Sequence, residues 1–538
     1  MKKMLTALMA LILVLAMAGS AVAEFELPIV EEPVTLTVFM ETDVKWSATK
    51  NSVAEVGSYQ TIMEKTGVNL EFNHPAAGQQ ADQFNLMIAS NNLPDIIYYN
   101  WASVSGGPAK YIEDGTILAL NDYLEEWAPN FLAYMEKYPD IRKQTVLDDG
   151  TYYMLPMIRL DEETGAGTWF KTAGFMIRQD WLTALDLEMP TTISELHDVL
   201  VAFRDNDPNG NGEADEIPFA TTKDYGIAQF AGAFGILDDF YMDGEEVKYG
   251  PTQDAYLDYL TTMRDWYAEG LIDPEYAMTD ASTLTSKVTN ELVGANYYLL
   301  AGGMGTWINM MGEENLDLVA MPWPSLEEGA PAYATSSDYN KVVVGPGVAF
   351  TKACLERGNL ETAIRFRDYF YSPEGVIDSN FGILGESYTM VDGEAVFTDA
   401  VLNNDKGLTT TQALSQYALS ASNDAMVKTA MYFKQVTLLL DNQKASQPVW
   451  NQCDISLLLP TLAHTAEESA FVAEKMNEIN TYKKEMVMKF VLGEASLDEF
   501  ETFVANIENL GIADVLECKQ AAYDRYNKIG RASCRERV

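Results

Sequence analysis

A chain of 538 residues with 80 acidic against 36 basic side chains carries a formal charge of −44. That imbalance repels nucleic acid and anionic membrane, so both are excluded as partners. A composition of 47% hydrophobic and 11% aromatic residues excludes a disordered chain, and the length exceeds one core and predicts two or more lobes.

Residues 1–23 read as a secretory signal peptide. Lys2 and Lys3 form the positive start, Leu5 to Met17 the apolar stretch, and Ala21-Val22-Ala23 the cleavage site. The apolar stretch is shorter than the roughly 20 residues that span a bilayer. No cysteine follows it for lipidation, and no later segment reads as a membrane span. The expectation is an exported, soluble monomer, periplasmic or secreted to the cell surface.

In chain order, Val34 to Phe39 alternates as a strand, a helix runs from Ser58 to Lys65, and Val68 to Phe72 is a second strand. A helix from Gln80 to Ser90 and a strand from Asp95 to Tyr99 complete a pattern that argues for a parallel, helix-covered sheet. Tyr152 to Leu155 and Gly174 to Ile177 are strands expected to cross into a second lobe. Thr192 and Glu195 form a capping box for a helix reaching Arg204. Further helices are expected at Asp254 to Ala268 and Ser282 to Leu292, and strands at Leu316 to Met321 and Val342 to Phe350. Residues 410–528 are mainly helical, with Pro448 to Gln452 as an interruption.

Residues 529–538 (IGRASCRERV) form a basic tail expected to lack structure. The string matches the translation of a common sequencing-adapter oligonucleotide and is expected to be foreign to the protein. Setting aside Lys2, Lys3 and the tail's net two positive charges moves the charge from −44 to −48. Cys354, Cys453 and Cys518 then remain, and no disulfide is expected.

The most informative stretch follows the capped helix: Asp207-Pro-Asn-Gly-Asn-Gly-Glu-Ala-Asp-Glu216. Side-chain oxygens at alternate positions, a glycine turn and closing carboxylates suit a hard cation such as calcium, which takes about 6–8 oxygen ligands. Two registers fit. The longer begins at Asp205, turns at Gly210 and closes with Glu216. The shorter begins at Asp207, turns at Gly212 and closes with Asp215 and Glu216. Asp207, Asn209, Asn211 and Glu216 serve both, with a backbone carbonyl from Asn211 in the longer or Glu213 in the shorter. The plain alternative is an acidic surface turn that binds nothing.

Aromatic platforms beside amides and carboxylates are how proteins hold sugars. The aromatics placed in loops or at strand ends are Tyr99, Trp101, Trp169, Trp307, Trp323, Tyr388 and Trp450, which are the candidate ligand contacts. Asn100, Glu386 and Arg178 are polar candidates, with Arg178 equally suited to pair with Asp180. Trp127, Trp181 and Trp266 sit in helical patterns and read as core. His74, His197 and His464 lack metal spacing, and no nucleophile elbow, zinc-protease motif or phosphate loop is present. No catalytic residue is assigned.

The order of PDIIYYNWAS (94–103), GTILALNDYLEEWAPN (115–130), FMIRQDWLTALDLEMPTTISEL (175–196), DPNGNGEADEIPF (207–219) and NFGILGESYTMVDG (380–393) resembles the family 1 extracellular solute-binding proteins of ABC sugar importers. Within them it is similar to the large oligosaccharide- and alginate-binding, LplA-like subgroup. The resemblance implies an α/β, two-lobed periplasmic-binding-protein fold (Venus flytrap). Each lobe would be a helix-covered sheet, with a helical C-terminal portion and a carbohydrate held between the lobes for an ABC permease. It implies residues 24–155 mainly in lobe 1, 156–280 in lobe 2 with the calcium loop at 205–216, 281–350 in lobe 1, and 351–528 in lobe 2 with the terminal helices. It also implies a structural Ca2+ in the shorter register, on Asp207, Asn209, Asn211, the Glu213 carbonyl, Asp215 and Glu216. A calcium-dependent secreted polysaccharide hydrolase or lyase, or a surface lectin, is the alternative function.

Overall fold

The computed structural model describes residues 27–76, 78–101, 104–161, 171–336, 339, 341, 343–406, 408–422 and 424–535. The signal peptide and Trp169 lie outside the described residues. Ten strands build two larger sheets: β1 (Val34–Phe39), β2 (Val68–Asn73), β3 (Ile96–Tyr99), β4 (Leu155–Leu160), β5 (Ala173–Arg178), β6 (Ile217–Ala220), β7 (Val293–Leu299), β8 (Leu318–Ala320), β9 (Val343–Phe350) and β10 (Val427–Thr429). The chain divides into two compact units.

The first unit takes residues up to Val104, Pro108–Ile158 and Val343–Thr429. Its sheet has the order β10-β4-β9-β3-β1-β2. The strand–helix–strand pattern of the first hundred residues gives parallel pairing, Val34 beside Val68 and Val38 beside Ile96, because a covering helix returns the chain to the same end of the sheet. Leu36 and Val38 share one face of β1 and are buried, as two-residue periodicity requires. β9 then pairs antiparallel with both β3 and β4.

The second unit takes Arg159–Val342 and Ala430–Val538, with the short stretch Ser105–Gly107. Its sheet runs β8-β5-β7-β6, with β5 antiparallel to β7 and β6 parallel to it. Every residue of β5 is buried, which explains its unbroken apolar run AGFMI. One face carries Phe175, Phe219 and Tyr297, and the other Met176, Ala220 and Tyr298. Gly174 is needed because a Cβ there would lie 2.3 Å from the Trp450 indole. The long helices Ala466–Leu492 and Ile512–Arg535 belong to this unit.

Four expectations are corrected. Residues 281–342 belong to the second unit, because β7 completes its sheet against β5 and β6. Residues 351–429 belong to the first unit, where β10 closes the sheet edge beside β4. Alternation reveals strands but not their partners, so the sequence order of lobes was open to this error. Pro448 does not interrupt a helix: Asp441–Trp450 contains it, one turn from an end held by the buried Trp450. The tail is not without structure either, since the last helix continues to Arg535; a lone Gly530 costs a helix only about 1 kcal/mol.

Candidate functional site

The helix Ile193–Asp205 begins as its sequence dictates. Glu195 N–H donates to Thr192 Oγ1 at 3.2 Å, and Thr192 N–H donates to Glu195 Oε2 at 3.1 Å. Its last residue, Asp205, is held by Arg204, with Nε to Oδ1 at 2.7 Å and Nη2 to Oδ2 at 3.0 Å. The loop from Asp207 then folds on its own side chains. Asp207 Oδ1 and Oδ2 accept from the backbone N–H groups of Asn211 (3.0 Å) and Gly212 (2.8 Å). Asn209 Oδ1 accepts from Asn211 N–H at 2.9 Å, and Asn211 Oδ1 from Glu213 N–H at 2.7 Å. Gly210 and Gly212 take φ of +71° and +82°, the left-handed turns that favour glycine. Asn211 Nδ2 reaches Asp215 Oδ1 at 3.1 Å.

Glu216, just before β6, has both carboxylate oxygens buried and no side-chain partner, with only backbone N–H groups opposing the cost of burial. Burial raises its pKa above the usual carboxylate range, with the Asp215 and Asp207 charges adding to the shift. Among the described residues no three His, Cys, Asp or Glu side chains are gathered closely enough to hold a metal. The Asp207, Asp215 and Glu216 carboxylates of this loop are therefore not gathered on one point, but with two amide oxygens and a carbonyl they are all hard oxygen donors of the type calcium takes. The buried Glu216 oxygens are what a bound cation would offset, so the residues fit the group in donor chemistry.

The seven aromatic candidates fare differently. Tyr99, Trp101 and Tyr388 lie in the first unit, and Trp307, Trp323 and Trp450 in the second. Tyr99 is half-buried and stacks on Phe84 at 4.0 Å. Trp101 is core: its Nε1–H donates to Gly347 O at 3.2 Å among Phe84 and Tyr111. Trp307 is buried, stacked on Tyr298 and donating to Thr285 Oγ1 at 3.0 Å. Trp450 is buried against β5, donating to Phe175 O at 3.0 Å. Tyr388 packs on Phe381. Trp323 stands edge-on to Phe175 and Tyr339, and its indole N–H has no acceptor. In this structure the Trp101, Trp307, Trp323, Tyr388 and Trp450 rings are packed against their neighbours rather than standing in water. A loop position in sequence does not keep an indole in water when 150–250 Å² of ring can be buried. Asn100 and Glu386 are exposed. Arg178 is buried and paired with Asp180 at 2.7 and 2.5 Å.

Two buried charge clusters left no trace in the sequence pattern. In the first unit Arg367 Nη2 donates to Asp424 Oδ1 at 2.7 Å, Arg367 Nη1 to Tyr59 Oη at 3.0 Å, and Tyr59 Oη to Asp424 Oδ2 at 2.5 Å. In the second, Lys171 is buried over the Tyr339 ring, with Nζ 4.1 Å from its centroid. The first depends on contacts 57 to 365 residues apart and the second on one 168 apart, which spacing rules do not reach.

Residues 48–377 match the family model described as bacterial extracellular solute-binding protein. The chain belongs to that family, and its fold is the two-lobed α/β class of these proteins. It is 26% identical over 494 residues to the fructooligosaccharide ABC transporter substrate-binding protein FusA of Streptococcus pneumoniae serotype 4, covering 87% of this chain and 86% of that one. The crystal structure of the alginate-binding protein AlgQ2 without calcium ion is similar at 25% identity and TM-score 0.72, over 92% of this chain and 99% of that one. An EF-hand mutant of S. pneumoniae FusA in complex with fructo-nystose matches at 22% identity and TM-score 0.72, over 92% and 99%.

Proposed function

We propose that this chain captures an oligosaccharide outside the cytoplasm and delivers it to an ABC permease, without chemistry on the sugar. The observation that carries the reading is likeness along nearly the whole chain to a sugar-importer binding protein, FusA; the alginate-binding protein shares the fold over 92% of it. The proposal takes the protein to be an exported monomer that sheds residues 1–23. Of the ring platforms, the proposal keeps Tyr99, half-buried at the end of β3, and Trp169.

The same proposal assigns a calcium ion to the 207–216 loop. The side chains of Asp207, Asn209, Asn211, Asp215 and Glu216 and the Glu213 carbonyl would hold it. The ion supplies charge to offset the Glu216 carboxylate and ties the end of one helix to the start of β6. Asp205, already engaged by Arg204, supports the register that begins at Asp207.

Calorimetric titration of the purified protein, with calcium present, against neutral and uronic oligosaccharides tests the sugar reading. Saturable binding of at least one class, with Kd in the micromolar range or tighter (about −8 kcal/mol), is the expected result. Silence across both classes overturns it.

A further inference from the structure

Two cations sit near opposite ends of the same buried strand, and only one of them is matched. Arg178 at the carboxyl end of β5 holds Asp180 in a two-point contact. Lys171, two residues before β5, is 95% buried, and no carboxylate lies within ion-pair distance of it among the described residues. Its Nζ has the Tyr339 ring at 4.1 Å and one long hydrogen bond, 3.5 Å, to the Tyr339 carbonyl. An ammonium has three donors, so its hydrogen-bonding capacity is mostly unfilled. This happens in a chain with 80 acidic residues to choose from. Taking a charge out of water without a counter-charge is among the costliest arrangements in a fold.

A second donor without an acceptor shares the same neighbour. The Trp323 ring stands edge-on to Tyr339, centroids 5.8 Å apart, and its buried Nε1–H is unpartnered. The location is equally pointed. Ala173 pairs with Leu299, so Lys171 lies beyond the carboxyl ends of the parallel strands β6 and β7, where ligands of α/β sheets bind. Thr221 and Thr222, which directly follow β6 at that end of the sheet, are buried with unpartnered hydroxyls.

We propose that Lys171 and Trp323 form a donor pair for an acidic group on the sugar, so that the captured oligosaccharide carries uronic carboxylates. Sugar hydroxyls could satisfy the indole N–H and the threonines, but only an anion offsets the ammonium. A carboxylate also accepts from an ammonium and an indole N–H more strongly than a hydroxyl does. This assignment rests on the sugar-binding reading above and narrows it to a substrate class.

The test is calorimetry of the calcium-loaded protein with trimers of galacturonic, mannuronic and guluronic acid, set against the neutral trisaccharide kestose. At least one uronic trimer is expected to bind at least about tenfold more tightly than kestose, the worth of one hydrogen bond to a charged group. Lys171→Met should lose that margin, leave kestose affinity unchanged, and raise the melting temperature of the sugar-free protein by removing an unmatched charge. Trp323→Phe keeps an aromatic ring without the N–H and should weaken the uronic trimers more than kestose. Kestose binding as tightly as every uronic trimer, or Lys171→Met lowering the sugar-free melting temperature, overturns the assignment while leaving sugar capture intact. Binding of neither class overturns the sugar reading itself.

Discussion

The two units match buried charge to different degrees, the first satisfying even Asp368, which pairs with no cation among the described residues, through Asn130 Nδ2 and the Phe131 N–H, each at 2.8 Å. In the first, Arg367, Asp424 and Tyr59 close on one another, Asp95 meets Arg357 at 2.9 Å, and Asp378 meets Lys65 at 2.7 Å. The second unit has matched pairs too, such as Lys287 with Asp273 at 2.7 Å. Yet it also holds Lys171 without a carboxylate, the Glu216 carboxylate without a side-chain donor, and His464 with an unpartnered Nε2. Each unmatched group costs the sugar-free, metal-free fold stability, because burial removes water without supplying a replacement. The contrast separates charge that holds a fold together from charge set aside for something the chain does not contain.

The sharpest way to break the contrast is to unmatch a pair in the first unit. Asp424→Ala leaves the Arg367 guanidinium buried, facing only the Tyr59 hydroxyl and the Ala425 carbonyl at 2.8 Å. Removing one partner of a buried pair is expected to cost about 3–5 kcal/mol, read as a fall in the urea midpoint. A loss below about 1 kcal/mol, the scale of an exposed pair, would show that this pair is not what holds the unit.

Supplying the missing match in the second unit should work in the other direction. Saturating calcium is expected to stabilise the protein by about 3 kcal/mol when free calcium stands 100-fold above its Kd, and chelation should remove that gain in a thermal melt. Asp207→Ala should abolish the calcium effect. Asp205→Ala should keep it, because Arg204 already occupies that carboxylate. An equal loss from both variants would restore the longer register.

Much of this was legible from spacing. The capping box at Thr192 and Glu195 forms as its four-residue signature requires, and the first three strands pair in parallel as their intervening helices demand. The loop from Asp207 to Glu216 folds around alternate oxygens that can be read directly from the chain. Long-range matching was not legible. The indoles of Trp101, Trp307 and Trp450 look available in sequence because their neighbours are glycine, proline or strand ends. They are buried because distant segments reach them: Trp450 lies against Gly174, 276 positions away. For the same reason Lys171 shows nothing in sequence beyond a lysine before an apolar strand.

His464 offers the mildest probe of the comparison. Burial pushes its imidazole down to about 4, with the Lys519 and Arg525 charges adding to the effect and Glu468 opposing it. A histidine whose pKa falls on folding binds fewer protons folded than unfolded between about 4 and its ordinary 6.5. Stability is then full above pH 6.5, declines as the pH falls through that window, and reaches its floor below about 4. Discounted for partial exposure, the loss is expected to be about 1–2 kcal/mol. His464→Gln cannot take up the proton, so its stability should vary less with pH across the window, while the two proteins respond alike above pH 7. Carboxylates that titrate in the same range are common to both proteins and cancel in the difference. Parallel curves from pH 4 to 7 would mean that His464 is solvated, and that the unmatched groups of the second unit reduce to Lys171 and Glu216.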